Sequence, residues 1–294
     1  MARSSSSSKK IEALGARPLL CTLDTIEAGM LKGCDAVIHC AAYVEPWGRF
    51  QDFYDVNVTG TKRLIEAAKA AGVKRFILIS TEAALFYGQD MLDIDETYPY
   101  PARSPFYYSE TKRQAEQLVL QANIPGQFET IALRPRLVWG PGDETILVNL
   151  SEMVDKGNFR WIDGGNYQTS TCHVANIVEA TVRALDHGRG GEAYFVTDGE
   201  VTTMREFLTA LLGTVGRHPS NKSVPGGLLR FGAWCIEAVW KLFRIRKKPP
   251  VTRFSAAIMS ANCTIRIDKA RRELGYSPVI TVQEGLRQLS TPAR

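Results

Sequence analysis

The chain has 294 residues, 45% apolar and 23% charged, with a formal net charge of +5. That length makes one large α/β domain, or a large domain with a smaller one appended, and the composition is ordinary for a globular protein. No apolar run is long enough to cross a bilayer, no signal peptide opens the chain, and the six cysteines show neither a CxxC pair nor histidines at zinc-binding spacing, so a reducing, cytoplasmic setting without a metal site is expected.

In chain order, the serine run from Met1 to Lys10 reads as a disordered tail or flexible loop. Short β-rich runs then alternate with helical patterns: strands are expected at 18–23, 36–40, 76–80 and 130–133, and helices at 25–31, 51–71 and 105–121. The strand runs are continuously apolar, as when both faces of a parallel sheet are covered. This order predicts crossover connections and a Rossmann-type, doubly wound α/β fold spanning 1–145 with parts of 170–200. The remainder of 146–294 is expected to form a small substrate-binding region, with a strand near 193–197, helices near 203–212 and 228–246, and a strand and helix across 277–289.

Tyr108 and Lys112 stand four apart, so on a helix a phenol and an ammonium share one face, and the ammonium favours ionisation of the phenol. Ser104-Pro105 upstream supplies an N-cap and a first-turn proline. The pair alone is a weak signal; its setting strengthens it. An apolar strand ending in Ser80-Thr81 precedes it, at the carboxyl end where open α/β sheets place their ligands. Asn57 opens a helical run, as an N-cap or as the support of a proton-relay water.

The ordered set DAVIHCAA, NVTGT, KRFILISTEAA, YYSETK, LRPRLVWGPGD and HVANIVEA resembles the extended short-chain dehydrogenases/reductases. It is most similar to their bacterial 3β-hydroxysteroid dehydrogenase/isomerase-like branch within the NAD-dependent epimerase/dehydratase group, over nearly the whole chain. The resemblance implies Tyr108 as general acid/base, Lys112 as the group that lowers its pKa and holds the nicotinamide ribose, and Thr81 as the hydroxyl on the substrate oxygen. It further implies Ser80, Ala41 and Ala42 beneath the cofactor, Pro135, Leu137 and Val138 beside the nicotinamide, and Thr22 and Leu23 at the adenine. Arg3 and Ser4 would meet the adenosine 2′-phosphate, which makes the cofactor NAD(P) with a leaning to NADP. His39 and His173 match the pattern and read as structural.

The family's opening strand, glycine-rich turn and helix are not found ahead of these elements, so the fold is expected to be N-terminally incomplete. Either the chain starts at an internal methionine or it descends from a protein that lost cofactor binding. The implied activity is NAD(P)-dependent oxidation of a secondary alcohol, or the reverse reduction, on a 3β-hydroxysteroid or similar apolar substrate. Alternatives are a nucleotide-sugar epimerase or dehydratase and a non-catalytic remnant.

Between Arg217 and Lys248 eight basic residues face one acid, Glu237, without the aromatic interleaving or motif of a nucleic-acid site. On a helical wheel Arg230, Glu237, Lys241 and Arg244 form a narrow stripe on a helix otherwise apolar, which is expected to bury most of its circumference. It reads as a helix packed over the substrate pocket, or as a peripheral contact of 228–248 with an anionic membrane surface. Expected partners are therefore a small apolar substrate, with a membrane surface and a second copy in a homodimer left open, and no nucleic acid.

Overall fold

The computed structural model describes residues 1–143, 145–243, 245 and 247–290. The serine run, expected to be disordered, is instead helix α1 (Ser5–Ala13). Ser4 caps it by accepting a hydrogen bond from the Ser7 N–H (3.2 Å), and Lys10 sits in its last turn, where a cation suits the helix dipole. The run 18–23 makes no strand beyond one parallel bridge between Ala2 and Leu20, and 25–31 contracts to a 3₁₀ turn at Ala28–Leu31.

The remaining elements follow in order: β1 (Ala36–His39), α2 (Phe50–Tyr54), a π-helical turn (Asp55–Thr59), α3 (Gly60–Ala70), β2 (Arg75–Ile79), β3 (Met91–Ile94) and α4 (Tyr107–Gln121). Then come β4 (Glu129–Pro135), β5 (Val138–Trp139), α5 (Ile146–Asp155), β6 (Trp161–Ile162), β7 (Gln168–Ser170), β8 (Cys172–His173), α6 (Val174–Asp186) and β9 (Glu192–Val196). The chain continues through β10 (Val201–Thr203), α7 (Met204–Gly213), β11 (Ser223–Val224), α8 (Gly226–Leu242), α9 (Arg253–Ile258), β12 (Cys263–Ile265), α10 (Asp268–Leu274) and α11 (Val282–Ser290). The basic helix thus stops at Leu242; Arg244 and Arg246 lie outside the described residues. No strand precedes α11, because the Asn176 carbonyl accepts the Val279 and Ile280 N–H groups (2.8 and 3.1 Å) that a ladder would have used.

The main sheet is parallel throughout, in the order β1-β2-β4-β9. Phe76 and Leu78 of β2 pack on one face with Leu64 and Ala68 of α3 and Val119 of α4. Ile77 packs on the other with Ala180 and Ala184 of α6 and Leu274 of α10. Each such large side chain contributes about 1.5–3 kcal/mol of burial, and covering both faces is what makes the strand runs continuously apolar. A second sheet, β10-β7-β12-β3, was not legible in the sequence; its strands are three or four residues long and too brief to show a period. Gly60 allows a close approach: an ideal Cβ there would lie 2.9 Å from Leu23 Cδ1. Among the described residues β1 pairs only with β2, which leaves an open edge, and Ile38 on it is 47% exposed.

His39, at the end of β1, is buried, with Nε2 2.8 Å from Thr61 Oγ1. Thr61 gives its own proton to the Asn57 carbonyl (2.7 Å), so Nε2 must be the protonated nitrogen and the ring is neutral. Burial, and then the Lys112 charge, push its pKa down to about 3 from 6.5. The unfolded chain therefore binds a proton that the folded chain refuses between those values, and stability falls as the pH drops through that window. The loss from this group should be on the order of 5 kcal/mol, read by urea denaturation across the window, and His39→Gln, which can still donate to Thr61, should flatten that dependence.

Candidate active site

All four strands of the main sheet point the same way, so the segments after them gather at one edge. Ser80 extends the β2–β4 pairing, its N–H donating to the Leu133 carbonyl (2.7 Å), and both Ser80 and Thr81 are buried. Thr81 then caps the 3₁₀ turn Glu82–Leu85 by accepting from the Ala83 N–H (3.1 Å). Its hydroxyl donates to Glu82 Oε2 (2.7 Å). The other Glu82 oxygen accepts from Arg136 Nη1 (2.7 Å), and Arg136 Nε donates to Thr169 Oγ1 (2.9 Å). This ion pair is almost wholly buried, each side chain 5% exposed.

Helix α4 carries the second half of the site. Its N-cap is Phe106 with no side-chain bond, not Ser104 as the sequence implied. The Ser104 hydroxyl instead donates to the Phe86 carbonyl (2.8 Å) and accepts from the Phe106 N–H (3.3 Å), holding the approach to the helix rather than its end. Tyr108, Lys112 and Glu116 recur every four residues on one stripe. Lys112 is buried and its Nζ donates to the Ile79 carbonyl (2.9 Å) at the end of β2. Glu116 accepts from Arg134 Nε with both oxygens (3.1 Å each) and from the Tyr100 hydroxyl (2.6 Å).

The electrostatics differ from the expectation that Lys112 lowers the Tyr108 pKa. Burial first, then the Glu82 carboxylate, push the phenol above its ordinary range, with a hydrogen bond to Thr81 acting the other way. Lys112 is itself pushed down to about 8 by burial, against the opposing pull of Glu116 and Cys40. With its ammonium drawn to the Ile79 carbonyl, desolvation of the phenolate prevails, and Tyr108 stands protonated at neutral pH.

Tyr108 opens onto a shallow cleft lined by Trp47, Phe53 and Phe254, with Glu237 and Lys241 of α8 also in its wall. The Phe254 ring lies 5.7 Å from that of Tyr108, and Lys241 Nζ sits 5.6 Å above the Tyr107 ring. The structure thus brings Ser80, Thr81, Tyr108 and Lys112 to one edge of the sheet. The small Ala41 and Ala42 follow β1, exposed and half-buried. Pro135 ends β4, and Leu137 turns the chain at a positive φ of 43° to present Val138 at the surface.

The remaining expected residues lie as follows. Leu23 turns its side chain into the core against Gly60, and Thr22 spends its backbone N–H and hydroxyl on Thr25. Arg3 is exposed, while Ser4 is committed to capping α1. Asn57 is no N-cap: it lies inside the π turn, both amide protons given to the Tyr43 carbonyl (3.2 Å) and Thr111 Oγ1 (3.0 Å) and its carbonyl accepting the Tyr43 N–H (2.7 Å). His173 caps α6 with Nδ1, and His39 bonds Thr61, so both are structural as read from sequence. Glu82, Arg136 and Phe254 were missed, and Glu237 was noted only within the charged stripe of a helix over the pocket. Glu82 and Arg136 did carry a signal, since each puts a charge beside a strand end in an otherwise apolar run.

These residues suit the nicotinamide half of a dinucleotide: a buried ammonium at a strand end, a neighbouring phenol, and small side chains after β1 that permit close approach. At the pyrophosphate position beside β1, the described residues present no glycine turn at a helix N-terminus.

The Glu82–Arg136 pair should behave as a unit. Arg136→Met leaves a buried carboxylate uncompensated and should cost about 3–5 kcal/mol in a denaturant melt, whereas adding Glu82→Leu should restore most of that loss.

A family model described as the 3-beta hydroxysteroid dehydrogenase/isomerase family matches residues 19–225. The 4-hydroxy-2-methyl-3-oxo-4-farnesyl-3,4-dihydroquinoline-1-oxide ketoreductase of Stigmatella aurantiaca is 42% identical over 98% of this chain and 87% of its own length. The 3beta-hydroxysteroid-dehydrogenase/decarboxylase isoform 1 of Arabidopsis thaliana is 35% identical over 87% of this chain and 62% of its own length. Among solved structures, that of gox2253 has a TM-score of 0.74 at 27% identity, covering 97% of this chain and 86% of that one. The UDP-glucuronic acid 4-epimerase of Bacillus cereus in complex with NAD has a TM-score of 0.72 at 19% identity with the same coverage, a likeness of fold alone. The match over most of the length, on the frame that carries Thr81, Tyr108 and Lys112, shows that this chain belongs to the 3-beta hydroxysteroid dehydrogenase/isomerase family.

Proposed function

We propose that the protein is an NAD(P)-dependent oxidoreductase that interconverts a secondary alcohol and a ketone on an apolar, sterol-like substrate. The observation that carries this reading is Tyr108 on the wall of an aromatic cleft, with Lys112 four residues on along the same helix, buried and donating to the Ile79 carbonyl at the end of β2 next to Ser80-Thr81. Relatives named as a ketoreductase and as hydroxysteroid and sterol dehydrogenases support it. A nucleotide-sugar substrate would ask for free basic groups around a diphosphate, whereas of the two basic residues on this cleft, Lys241 is paired with Glu237, and six of its lining residues are aromatic.

The dinucleotide, when bound, supplies or accepts the hydride. Tyr108 donates its proton to the carbonyl oxygen during reduction and takes it back from the hydroxyl during oxidation. Thr81 steadies the same oxygen once its hydroxyl rotates away from Glu82. Lys112, whose Nζ donates to the Ile79 carbonyl, would hold the ribose hydroxyls of the dinucleotide, and the aromatic walls exclude water from the reacting carbon. A sterol-like substrate partitions into lipid, and the reading includes peripheral contact of 228–248 with a membrane.

Tyr108→Phe should lower kcat in hydride-transfer assays by about 10²–10⁴-fold while leaving NADPH affinity unchanged; near-normal turnover would remove the acid/base assignment. We also infer a preference for NADP, because the exposed Arg3 follows Ala2 at its bridge to Leu20, free to meet a 2′-phosphate. Arg3→Ala should lower kcat/KM for NADPH and leave that for NADH unchanged; a chain that prefers NADH before and after the change would sink the preference.

A further inference from the structure

A guanidinium withdrawn from water is costly unless its donors are met, and this chain meets them almost everywhere. Buried Arg75, Arg134 and Arg136 pair with Glu129, Glu116 and Glu82, and half-buried Arg113 and Arg217 with Glu110 and Asp155. Arg160 and Arg205, also half-buried, donate to backbone carbonyls. Arg253 departs from this pattern. It is half-buried and lines the cleft that holds Tyr108, yet among the described residues only its backbone N–H has a partner, the Glu237 carboxylate (2.6 Å).

We propose that Arg253 is the specificity-determining residue of this cleft and takes a carboxylate carried by the substrate, which makes the substrate an apolar oxo acid or hydroxy acid. The inference rests on the oxidoreductase reading and names the polar end of its apolar substrate.

The charges around the cleft select this ligand. Contrary to the helical-wheel expectation that it buries most of its circumference, α8 buries only Gly226, Ala233 and Glu237, because α9 and the cleft cover just one side of it. Glu237 has one oxygen on the Arg253 N–H and the other on Lys241 (3.5 Å), so Lys241 is neutralised within the wall. Glu45, the other acid lining the cleft, is exposed and pairs with neither base among the described residues. One guanidinium is left without a counter-charge. Its flat fork of donors matches the two oxygens of a carboxylate, whereas a diphosphate would need several such groups. Trp47, Phe53 and Phe254 are there for the apolar body. Helix α9 fixes the arrangement: buried Thr252 caps it by accepting from the Ser255 N–H (3.1 Å), and its first two residues are Arg253 and Phe254. The carboxylate is a spectator of the chemistry. Hydride goes to the ketone carbon, the Tyr108 proton goes to the ketone oxygen, and the ion pair with Arg253 is unchanged.

The test compares octanoates carrying a ketone at successive carbons, from the fourth to the seventh, with their primary amides, which match them in shape and lack the charge. In the unmodified chain with NADPH, the best acid should exceed its amide in kcat/KM by about 10- to 100-fold. Arg253→Met, near in length and uncharged, should bring that ratio to about one through KM rather than kcat, and Arg253→Lys should restore part of it. Arg253→Glu should turn the preference toward the amide. The ratio is taken within each variant, so a smaller folded fraction cancels from it. A ratio near one in the unmodified chain overturns the assignment, and so does a ratio that Arg253→Met leaves intact. Calorimetric titration of octanoate and octanamide, with and without NADPH, reads recognition in the absence of turnover. Octanoate should bind more tightly by a similar factor, and equal or absent binding of the two overturns the carboxylate site. Selective binding of octanoate without hydride transfer to any of the oxo acids would count against the oxidoreductase reading and leave that site standing.

Discussion

The position of helix α4 on the sheet governs the site, and one buried ion pair sets it. Glu116 and Arg134 are 0% and 3% exposed, joined through both carboxylate oxygens and completed by the Tyr100 hydroxyl. Charges so deeply buried are tolerated only in good geometry, because separating them leaves an uncompensated ion in a medium of low polarity. Helix and strand are thereby held in one relative register. Lys112 and Tyr108 lie one and two turns toward the N-terminus on the same stripe, so fixing Glu116 against β4 also fixes the ammonium at Ile79 and the phenol beside Thr81.

A second buried pair does for the substrate side what the first does for the helix. Glu82 is held by Arg136, which reaches back from the segment after β4, and the carboxylate orients the Thr81 hydroxyl. Its negative charge also keeps the Tyr108 proton in place. The two ion pairs come from Arg134 and Arg136, two residues apart at the end of one strand, so that a single short stretch braces both the acid/base helix and the hydroxyl opposite it. The phenol is left in the state suited to giving a proton to a ketone oxygen.

The cleft joins this rigid interior to the surface. Its walls are the segment after β1, the start of α4, the start of α9, and α8, which buries Ala233 and Glu237 toward the protein and leaves Leu228, Phe231 and Leu242 exposed. Glu237 on the Arg253 backbone and Lys241 over Tyr107 hold α8 in that wall.

Residues alone determined the parts whose physics is local or periodic. The continuous apolar runs of β1, β2, β4 and β9 and the helical patterns between them gave a parallel, doubly wound sheet, and the four-residue spacing put Tyr108 and Lys112 on one face. Boundaries held to within a few residues for the long elements, where burial and propensity agree. What failed in the sequence reading was decided by partners distant along the chain. The serine run is the exception, its helix α1 resting on a local cap, Ser4 on the Ser7 N–H, whereas the segment before α11 lost its strand to the side-chain amide of Asn176. Asn57, read as a cap, proved to sit inside a π turn that no local pattern announces. The upward shift of Tyr108 came first from burial and then from Glu82, which Arg136 holds from fifty-four positions away. Which way α8 faces was beyond periodicity altogether: a helical wheel shows that a charged stripe and an apolar face exist, while only packing against α9 and the cleft decides which residues of each meet the protein.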